Sequence, residues 1–172
     1  AAELGIRPYI VRQERTGMHM ADAISRVTSR QKIGVFAMQQ GPGTENAYGA
    51  VAQAYAESVP LLVLPMGHAR RQAQIAPNFS SMLQMRGISK SVEQVTFADD
   101  IPNAMRRAFT QLRNGRPRPC IVELPVDVLA EEFTEGHPLV ERQRRRIETV
   151  DRVLTDPAYG LVLPFRGEEA GA

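Results

Sequence analysis

Residues 33–64 read IGVFAMQQGPGTENAYGAVAQAYAESVPLLVL, and this stretch decides the predicted fold. Ile33–Met38 is a short apolar run that predicts a strand, and Thr44–Glu57 is a helix-period segment rich in small residues. Leu61–Leu64 is apolar without interruption, as expected of a strand that is covered on both faces of a sheet. Strand, helix and strand in this order predict a βαβ unit with two parallel strands.

The segments on either side of this unit repeat its pattern. A strand is predicted over Pro8–Arg12 and a helix over Gly17–Ser29, with Met20, Ile24 and Val27 on one apolar stripe. Further along, the pattern predicts a short helix, a weak strand, an amphipathic helix and a last strand, over Ser80–Gln84, Val92–Thr96, Ile101–Leu112 and Cys120–Leu124. The sequence therefore predicts an α/β fold in three layers (α/β/α), with a parallel sheet of five to six strands and right-handed crossovers.

The composition is that of an ordinary globular protein, with 43% hydrophobic residues, 23% charged residues and a formal net charge of +2. The single cysteine, Cys120, cannot form an intrachain disulfide, and its apolar neighbours predict a buried, inert thiol. No apolar stretch approaches the roughly 20 residues of a membrane span. Proteins that bind nucleic acid by stacking place aromatic residues among the basic ones. The arginine-rich run 142–146 contains no aromatic residue. We therefore expect a cytoplasmic protein that binds neither membranes nor nucleic acid.

The length of the chain suits one domain of ordinary size. The alternation of strands and helices stops after Val128, and the segment that follows is strongly charged. We therefore predict one domain over residues 1–130, followed by a linker or C-terminal tail over residues 131–172.

Polar or glycine-rich segments follow the predicted strands at their carboxyl ends. Glu14 comes after the first strand, the turn Gln40–Gly43 after the second, and His68 after the third. Ligands of an open parallel α/β sheet bind outside the carboxyl ends of the strands. We therefore expect Glu14 and the glycine turn on the same edge of the sheet, where they are candidates for one site.

The turn Gly41-Pro42-Gly43, followed by Asn46, is a candidate ligand site by its chemistry. Two glycines around a proline predict a tight strand-to-helix turn, which leaves backbone N–H groups free at a helix N-terminus. The spacing fits neither of the common nucleotide-binding loops, G-x-G-x-x-G and G-x-x-x-x-G-K-[ST]. The turn alone is also compatible with a purely structural role, and Glu14 alone with a helix cap or a solvent-exposed side chain.

Several segments, taken in chain order, form a recognisable series of motifs. They are Arg12-Gln13-Glu14 with His19-Met20-Ala21-Asp22 and Ser25-Arg26, Gly41-Pro42-Gly43 with Asn46, Ala54-Tyr55-Ala56-Glu57-Ser58-Val59-Pro60-Leu61-Leu62, Ile88-Ser89-Lys90, and Gly115-Arg116-Pro117-Arg118-Pro119 through Glu123-Leu124-Pro125-Val126-Asp127-Val128. Together they resemble the N-terminal pyrimidine-binding (PYR) domain of acetolactate-synthase-like enzymes that depend on thiamine diphosphate (ThDP, also called thiamine pyrophosphate). The resemblance extends from about Pro8 to Val128.

The resemblance implies a ThDP-binding fold in which Glu14 is the catalytic residue. In this family the carboxylate hydrogen-bonds to N1′ of the ThDP pyrimidine, and so favours the form of the cofactor that accepts the C2 proton. Gly41, Pro42, Gly43 and Asn46 are the cofactor-binding residues that the resemblance implies, since they would shape the site around the pyrimidine.

The resemblance also implies partners outside this chain. Mg²⁺ and the diphosphate would be bound by a diphosphate-binding domain of another subunit, in a homodimer or homotetramer, because this sequence lacks the Gly-Asp-Gly motif of that domain. No metal ligand is expected in this chain, and FAD is a further cofactor compatible with the family.

The substrate would be a small 2-oxo acid that is decarboxylated and then either protonated or joined to an acceptor. The opening strand and glycine loop of the family are missing from the sequence.

The sequence departs from the family pattern at two places. Gln13 stands where many members have His, and Ala76-Pro77-Asn78-Phe79 occupies the region of a Phe-Gln-Glu element. Two alternatives to an acetolactate-synthase-like enzyme stay open: a simple 2-oxo acid decarboxylase, and a non-catalytic PYR-like module that serves oligomerisation. Among the histidines, His68 is the better candidate for a site residue, since His19 lies within a predicted helix.

Overall fold

The computed structural model describes residues 8–131, and its centre is a sheet of four parallel strands. The strands are β1 (Gly34–Met38), β2 (Leu61–Gly67), β3 (Ser91–Gln94) and β4 (Cys120–Pro125). Their order across the sheet is β1-β2-β4-β3, so the last strand in the sequence lies between the second and the third. All neighbouring strands are parallel, as the predicted βαβ pattern requires.

Helices connect the strands and cover both faces of the sheet. They are α1 (Glu14–Val27), α2 (Pro42–Ala56), α3 (Ser81–Gln84), α4 (Ile101–Arg113) and α5 (Val126–Leu129). One core cluster joins α1 and α2 to one face of the sheet, and a second joins α4 and α5 to the other. Successive residues of β2 alternate between the clusters, as Leu61 and Val63 belong to the first and Leu62 to the second. The predicted three-layer α/β/α fold is confirmed.

The sheet has fewer strands than the five to six that were predicted, because the first predicted strand does not form. The segment Pro8–Arg12 is irregular, and α1 begins at Glu14 rather than at Gly17. Ile10 is 96% exposed, so the segment lies outside the core, and Pro8 lacks the N–H group that a strand ladder uses. The prediction of a strand here was wrong, because β-favouring residues form a strand only where a neighbouring strand receives their backbone groups.

The apolar stripe of α1 faces away from the sheet, whereas the apolar stripe of a helix usually packs on the core. Met20, Ile24 and Val27 are 44%, 44% and 80% exposed. The buried face consists mostly of smaller residues: Gly17, Met18, Ala21, Asp22 and Ser25. Small residues are needed there because α1 lies very close to β1, where a Cβ on Gly34 would stand 1.9 Å from the carbonyl oxygen of Ala21.

The other predicted elements within the described residues form, and their ends shift by at most three residues. Cys120 is fully buried in β4, and burial raises the pKa of its thiol, in agreement with the inert thiol predicted. In the part of the chain that the structure describes, no helix combines the length and the apolar character that a membrane crossing requires. The predicted linker or tail over residues 131–172 lies outside the described residues, apart from Glu131.

Ser25 ties α1 to both strands of the βαβ unit through two buried hydrogen bonds. Its hydroxyl donates to the carbonyl oxygen of Pro60 (2.7 Å), which directly precedes β2. The same oxygen accepts a hydrogen bond from the N–H of Gly34 (2.8 Å), the first residue of β1. Because Ser25 is completely buried, water cannot replace either bond.

We expect Ser25→Ala to lower the free energy of unfolding by about 2 to 4 kcal/mol, because a buried donor and a buried acceptor lose their partner together. Urea denaturation of the chain, followed by circular dichroism, measures this loss. Ser29→Ala is the matched control, since Ser29 is exposed and the change should stay within about 0.5 kcal/mol. Equal stability of the two variants would contradict the structural role of Ser25.

Candidate active site

The turn Gly41-Pro42-Gly43 connects β1 to α2 at the carboxyl end of the sheet. Gly41 has a φ of 59° and a ψ of −111°, a conformation that glycine reaches without strain. Pro42 takes the first position of α2, where its missing N–H costs no helical hydrogen bond. The N–H of Glu45 closes the first turn of the helix by donating to the carbonyl oxygen of Gly41 (2.9 Å). The tight strand-to-helix turn predicted from the sequence is present.

Glu14 lies against this turn, although no strand precedes it. It is the first residue of α1, and its side chain is half-buried. Asn46, near the start of α2, donates a hydrogen bond from Nδ2 to Glu14 Oε2 (2.8 Å). The structure therefore brings together two candidate site residues from different helices, at the sheet edge where the turn lies.

The other carboxylate oxygen of Glu14 faces Gly43. A Cβ on Gly43 would lie 3.4 Å from Glu14 Oε1 and 3.0 Å from the Cβ of Gln39, so a larger residue would crowd the carboxylate. Among residues 8–131, Oε1 accepts no hydrogen bond. Glu14 is thus held through one oxygen, while the other is available to a ligand that lies on the turn.

Two further polar groups lie beside the turn. Gln40 Oε1 is buried, and no residue of the described range donates a hydrogen bond to it. His68 directly follows β2, and a Cβ on Gly41 would lie 3.7 Å from its Nε2. A buried acceptor requires a hydrogen-bond donor, and an N–H group of a ligand at the turn would supply one to Gln40. Sequence reasoning placed Gln40 at the strand end but did not select it as a site residue.

Glu123 is a buried carboxylate of β4 that sequence reasoning missed. It is 3% exposed, and its two oxygens accept hydrogen bonds from the N–H of Ser81 (3.0 Å) and from Gln94 Nε2 (2.6 Å). It also fills the space beside Gly67, where a Cβ would lie 2.9 Å from its Oε1. Glu123 therefore holds the start of α3 at the carboxyl end of the sheet, and the only hint in the sequence is an acidic residue within an apolar strand.

Arg70 links the loops that follow β2 and β3 to the segment after β4. Its Nε donates to Asp127 Oδ2 (2.8 Å), its Nη2 lies 2.5 Å from Glu131 Oε1, and its Nη1 donates to the carbonyl oxygen of Thr96 (2.7 Å). The hydrogen bond from Arg70 holds the pKa of Asp127 below its usual value. All three guanidinium nitrogens of Arg70 thus donate hydrogen bonds to other residues of the protein.

Comparison with known sequences assigns this chain to a family. A family model described as "Thiamine pyrophosphate enzyme, N-terminal TPP binding domain" matches residues 1–96. The acetolactate synthase isozyme 3 large subunit of Escherichia coli strain K12 is 37% identical over 134 residues, covering 73% of this chain and 22% of that protein. The 2-hydroxyacyl-CoA lyase 2 of Caenorhabditis elegans is 37% identical over 133 residues, covering 75% of this chain and 20% of that protein. The chain thus spans about a fifth of the length of these relatives.

A solved structure supports the same fold. The crystal structure of benzoylformate decarboxylase from Polynucleobacter necessarius matches with a TM-score of 0.62 and 22% sequence identity. The match covers 72% of this chain and 23% of that one. At this level of identity, the likeness shows the α/β/α fold alone.

Proposed function

Because the chain belongs to the thiamine pyrophosphate enzyme family, as its N-terminal cofactor-binding domain, we propose that it is the pyrimidine-binding part of a ThDP-dependent 2-oxo acid decarboxylase or carboligase resembling the acetolactate synthase large subunit. Glu14 is the proposed catalytic residue, and Gly41, Pro42, Gly43 and Asn46 are the proposed cofactor-binding residues. The observation that carries the proposal is the carboxylate of Glu14, which is fixed through Oε2 by Asn46, while Oε1 beside the glycine turn accepts no hydrogen bond from the residues that the structure describes.

The groups at the turn fit the aminopyrimidine of ThDP by their donors and acceptors. Gly41 and Gly43 carry no side chain that would stand between the turn and a flat ring. The buried, unpartnered oxygen of Gln40 suits an amino group, and the free oxygen of Glu14 suits a ring nitrogen that takes up a proton. When bound, ThDP supplies a carbon acid at C2, which becomes the nucleophile toward the 2-oxo acid.

Glu14 acts in this proposal by holding a proton at the N1′ position of the cofactor. Asn46 already donates to Oε2, so the proton that Glu14 shares with the ring is carried on Oε1, which faces the turn. Asn46 is therefore a positioning residue, since it keeps the carboxylate from rotating away. Such acid–base assistance contributes on the order of 10²- to 10⁴-fold to a reaction rate.

The proposal requires a partner for this domain. Mg²⁺ and the diphosphate are assigned to a diphosphate-binding domain of another subunit, in a cytoplasmic homodimer or homotetramer, with FAD as an optional further cofactor. Residues 8–131 contain no group of three or more His, Cys, Asp or Glu side chains that could hold a metal ion. The exposed Met20, Ile24 and Val27 of α1, the helix that begins with Glu14, support an interface on this side.

Carbon dioxide release tests the proposed function. The assembled protein, supplied with ThDP and Mg²⁺, should release CO₂ from at least one of pyruvate, 2-oxobutyrate and benzoylformate, at a rate on the order of 1 s⁻¹ or faster. Omission of ThDP is the control and should abolish release. A 2-hydroxy ketone product identifies a carboligase, and an aldehyde alone identifies a simple decarboxylase.

The non-catalytic alternative makes the opposite prediction for the same experiment. A protein that serves oligomerisation should form its assembly without binding ThDP, as measured by titration calorimetry, and should release no CO₂ from any of the three acids. That combined result would contradict the proposed function.

A further inference from the structure

His68 lies beside the glycine turn with its ring unused by the protein. It directly follows β2, is half-buried, and makes no hydrogen bond within residues 8–131. A Cβ on Gly41 would lie 3.7 Å from His68 Nε2, which is an ordinary contact distance. Because glycine has no Cβ, no side chain at position 41 covers this nitrogen, and one atom of a ligand has room to contact it beside the turn.

Two charged residues near His68, Arg70 in the same loop and Glu123 beside Gly67, are already engaged by the protein. Arg70, two residues further along, is engaged by Asp127 and Glu131. Glu123 accepts hydrogen bonds from two N–H groups, and it is buried, so its carboxylate is not accessible to a ligand. His68 has no such partner among residues 8–131, so its N–H group is available to a ligand that enters beside the turn.

A 2-oxo acid carries a carboxylate whose oxygens accept several hydrogen bonds, and these must be replaced when the acid leaves water. We propose that His68 donates an N–H hydrogen bond to this carboxylate and so orients the acid beside the Gly41 turn. The proposal rests on the proposed function and adds the residue that recognises the acid group of the substrate. Glu14 activates the cofactor, whereas His68 contacts the substrate alone.

Two substitutions in the assembled enzyme separate these roles. His68→Leu removes the donor and should raise the KM for the 2-oxo acid on the order of 10- to 100-fold, with a smaller change in kcat. The affinity for oxamate, an unreactive isostere of pyruvate, should fall by a similar factor in titration calorimetry with ThDP present. His68→Gln retains an N–H donor and should recover most of both losses.

Two measurements should stay constant, because they do not involve the acid. The Kd of ThDP and the rate of C2 proton exchange in the absence of substrate should change by no more than about two-fold in His68→Leu. His19→Gln is the matched control, since His19 is exposed on α1, and it should leave KM, oxamate affinity, ThDP affinity and exchange unchanged.

The proposal for His68 fails if oxamate affinity is the same in wild type and His68→Leu. It also fails if ThDP affinity falls as much as oxamate affinity, because His68 would then support the cofactor site as a whole. Neither outcome depends on turnover. Absence of CO₂ release from the wild type contradicts the proposed function instead, so the two proposals can be rejected separately.

Discussion

Glu14→Gln should slow the C2 proton exchange of bound ThDP on the order of 10²- to 10⁴-fold in the assembled enzyme, which corresponds to about 3 to 5 kcal/mol of barrier. Glutamine keeps the size of the side chain and an oxygen that can accept the hydrogen bond from Asn46. It cannot share a proton with the pyrimidine, so only the acid–base function is lost. Deuterium exchange at C2, followed by NMR, isolates this step from the later chemistry.

The matched control for this variant is Glu45→Gln, which removes an exposed carboxylate from the first turn of α2. Its exchange rate should equal that of the wild type, because Glu45 does not contact the Glu14 carboxylate. Asn46→Ala keeps the Glu14 carboxylate but removes the hydrogen bond that Asn46 donates to it. This variant should slow C2 exchange only on the order of 10-fold. If Glu14→Gln exchanged within a few-fold of the wild type, Glu14 would not be the activating residue.

Gly34→Ala should lower the free energy of unfolding by about 3 kcal/mol or more, because the added methyl group meets backbone. A Cβ on Gly34 would stand 1.9 Å from the carbonyl oxygen of Ala21, 2.5 Å from its carbonyl carbon and 2.8 Å from its Cα. Backbone atoms cannot rotate away, so α1 must move off β1. Since Glu14 is the first residue of α1, the same movement should weaken its hydrogen bond to Asn46.

Urea denaturation of the chain, followed by circular dichroism, measures this loss. Gly49→Ala is the matched control, because among residues 8–131 the added methyl group would meet no atom within 4 Å other than the backbone of its own helix and its chain neighbours. Gly49 lies inside α2, where alanine is favoured over glycine by roughly 0.5 to 1 kcal/mol, so this variant should be slightly more stable than the wild type. A Gly34→Ala protein of wild-type stability would show that α1 and β1 tolerate a wider separation than the structure indicates.

The stretch of residues 33–64 could be predicted well because its signals are local. The apolar run of β1, the glycine turn and the small-residue helix each follow from a few consecutive residues. The orientation of α1 could not be predicted in this way. Its apolar stripe is exposed, and its buried face carries mostly small residues, because α1 approaches β1 closely where Ala21 meets Gly34. This contact joins two different elements, so the local pattern of α1 does not indicate it. The missing strand at Pro8–Arg12 has a similar cause, since pairing depends on a neighbour.

The features of the candidate site also differ in whether local sequence predicts them. The glycine turn could be assigned to the carboxyl edge of the sheet from the order of the elements, because ligands bind at the carboxyl ends of parallel strands. Glu14 lies at the same edge, but it is held there by the start of α1 and not by the strand from which its position was predicted. The hydrogen bond from Asn46 to Glu14, the unpartnered oxygen of Gln40 and the burial of Glu123 could not be predicted in this way. Whether a buried polar atom is satisfied depends on groups that are distant in the sequence, so only the folded chain reveals it.

The position of β4 between β2 and β3 sets an order for the assembly of the sheet during synthesis. A ribosome releases α1, β1, α2 and β2 before the other two strands, and β1 and β2 can form their parallel pair at once. Strand β3 emerges next, but it pairs only with β4 and must wait for it. The last strand then pairs with β2 on one side and with β3 on the other. It also contributes residues to both core clusters, one on each face of the sheet. The edges of β2 and β3 that pair with β4 therefore stay open until Cys120–Pro125 has left the ribosome.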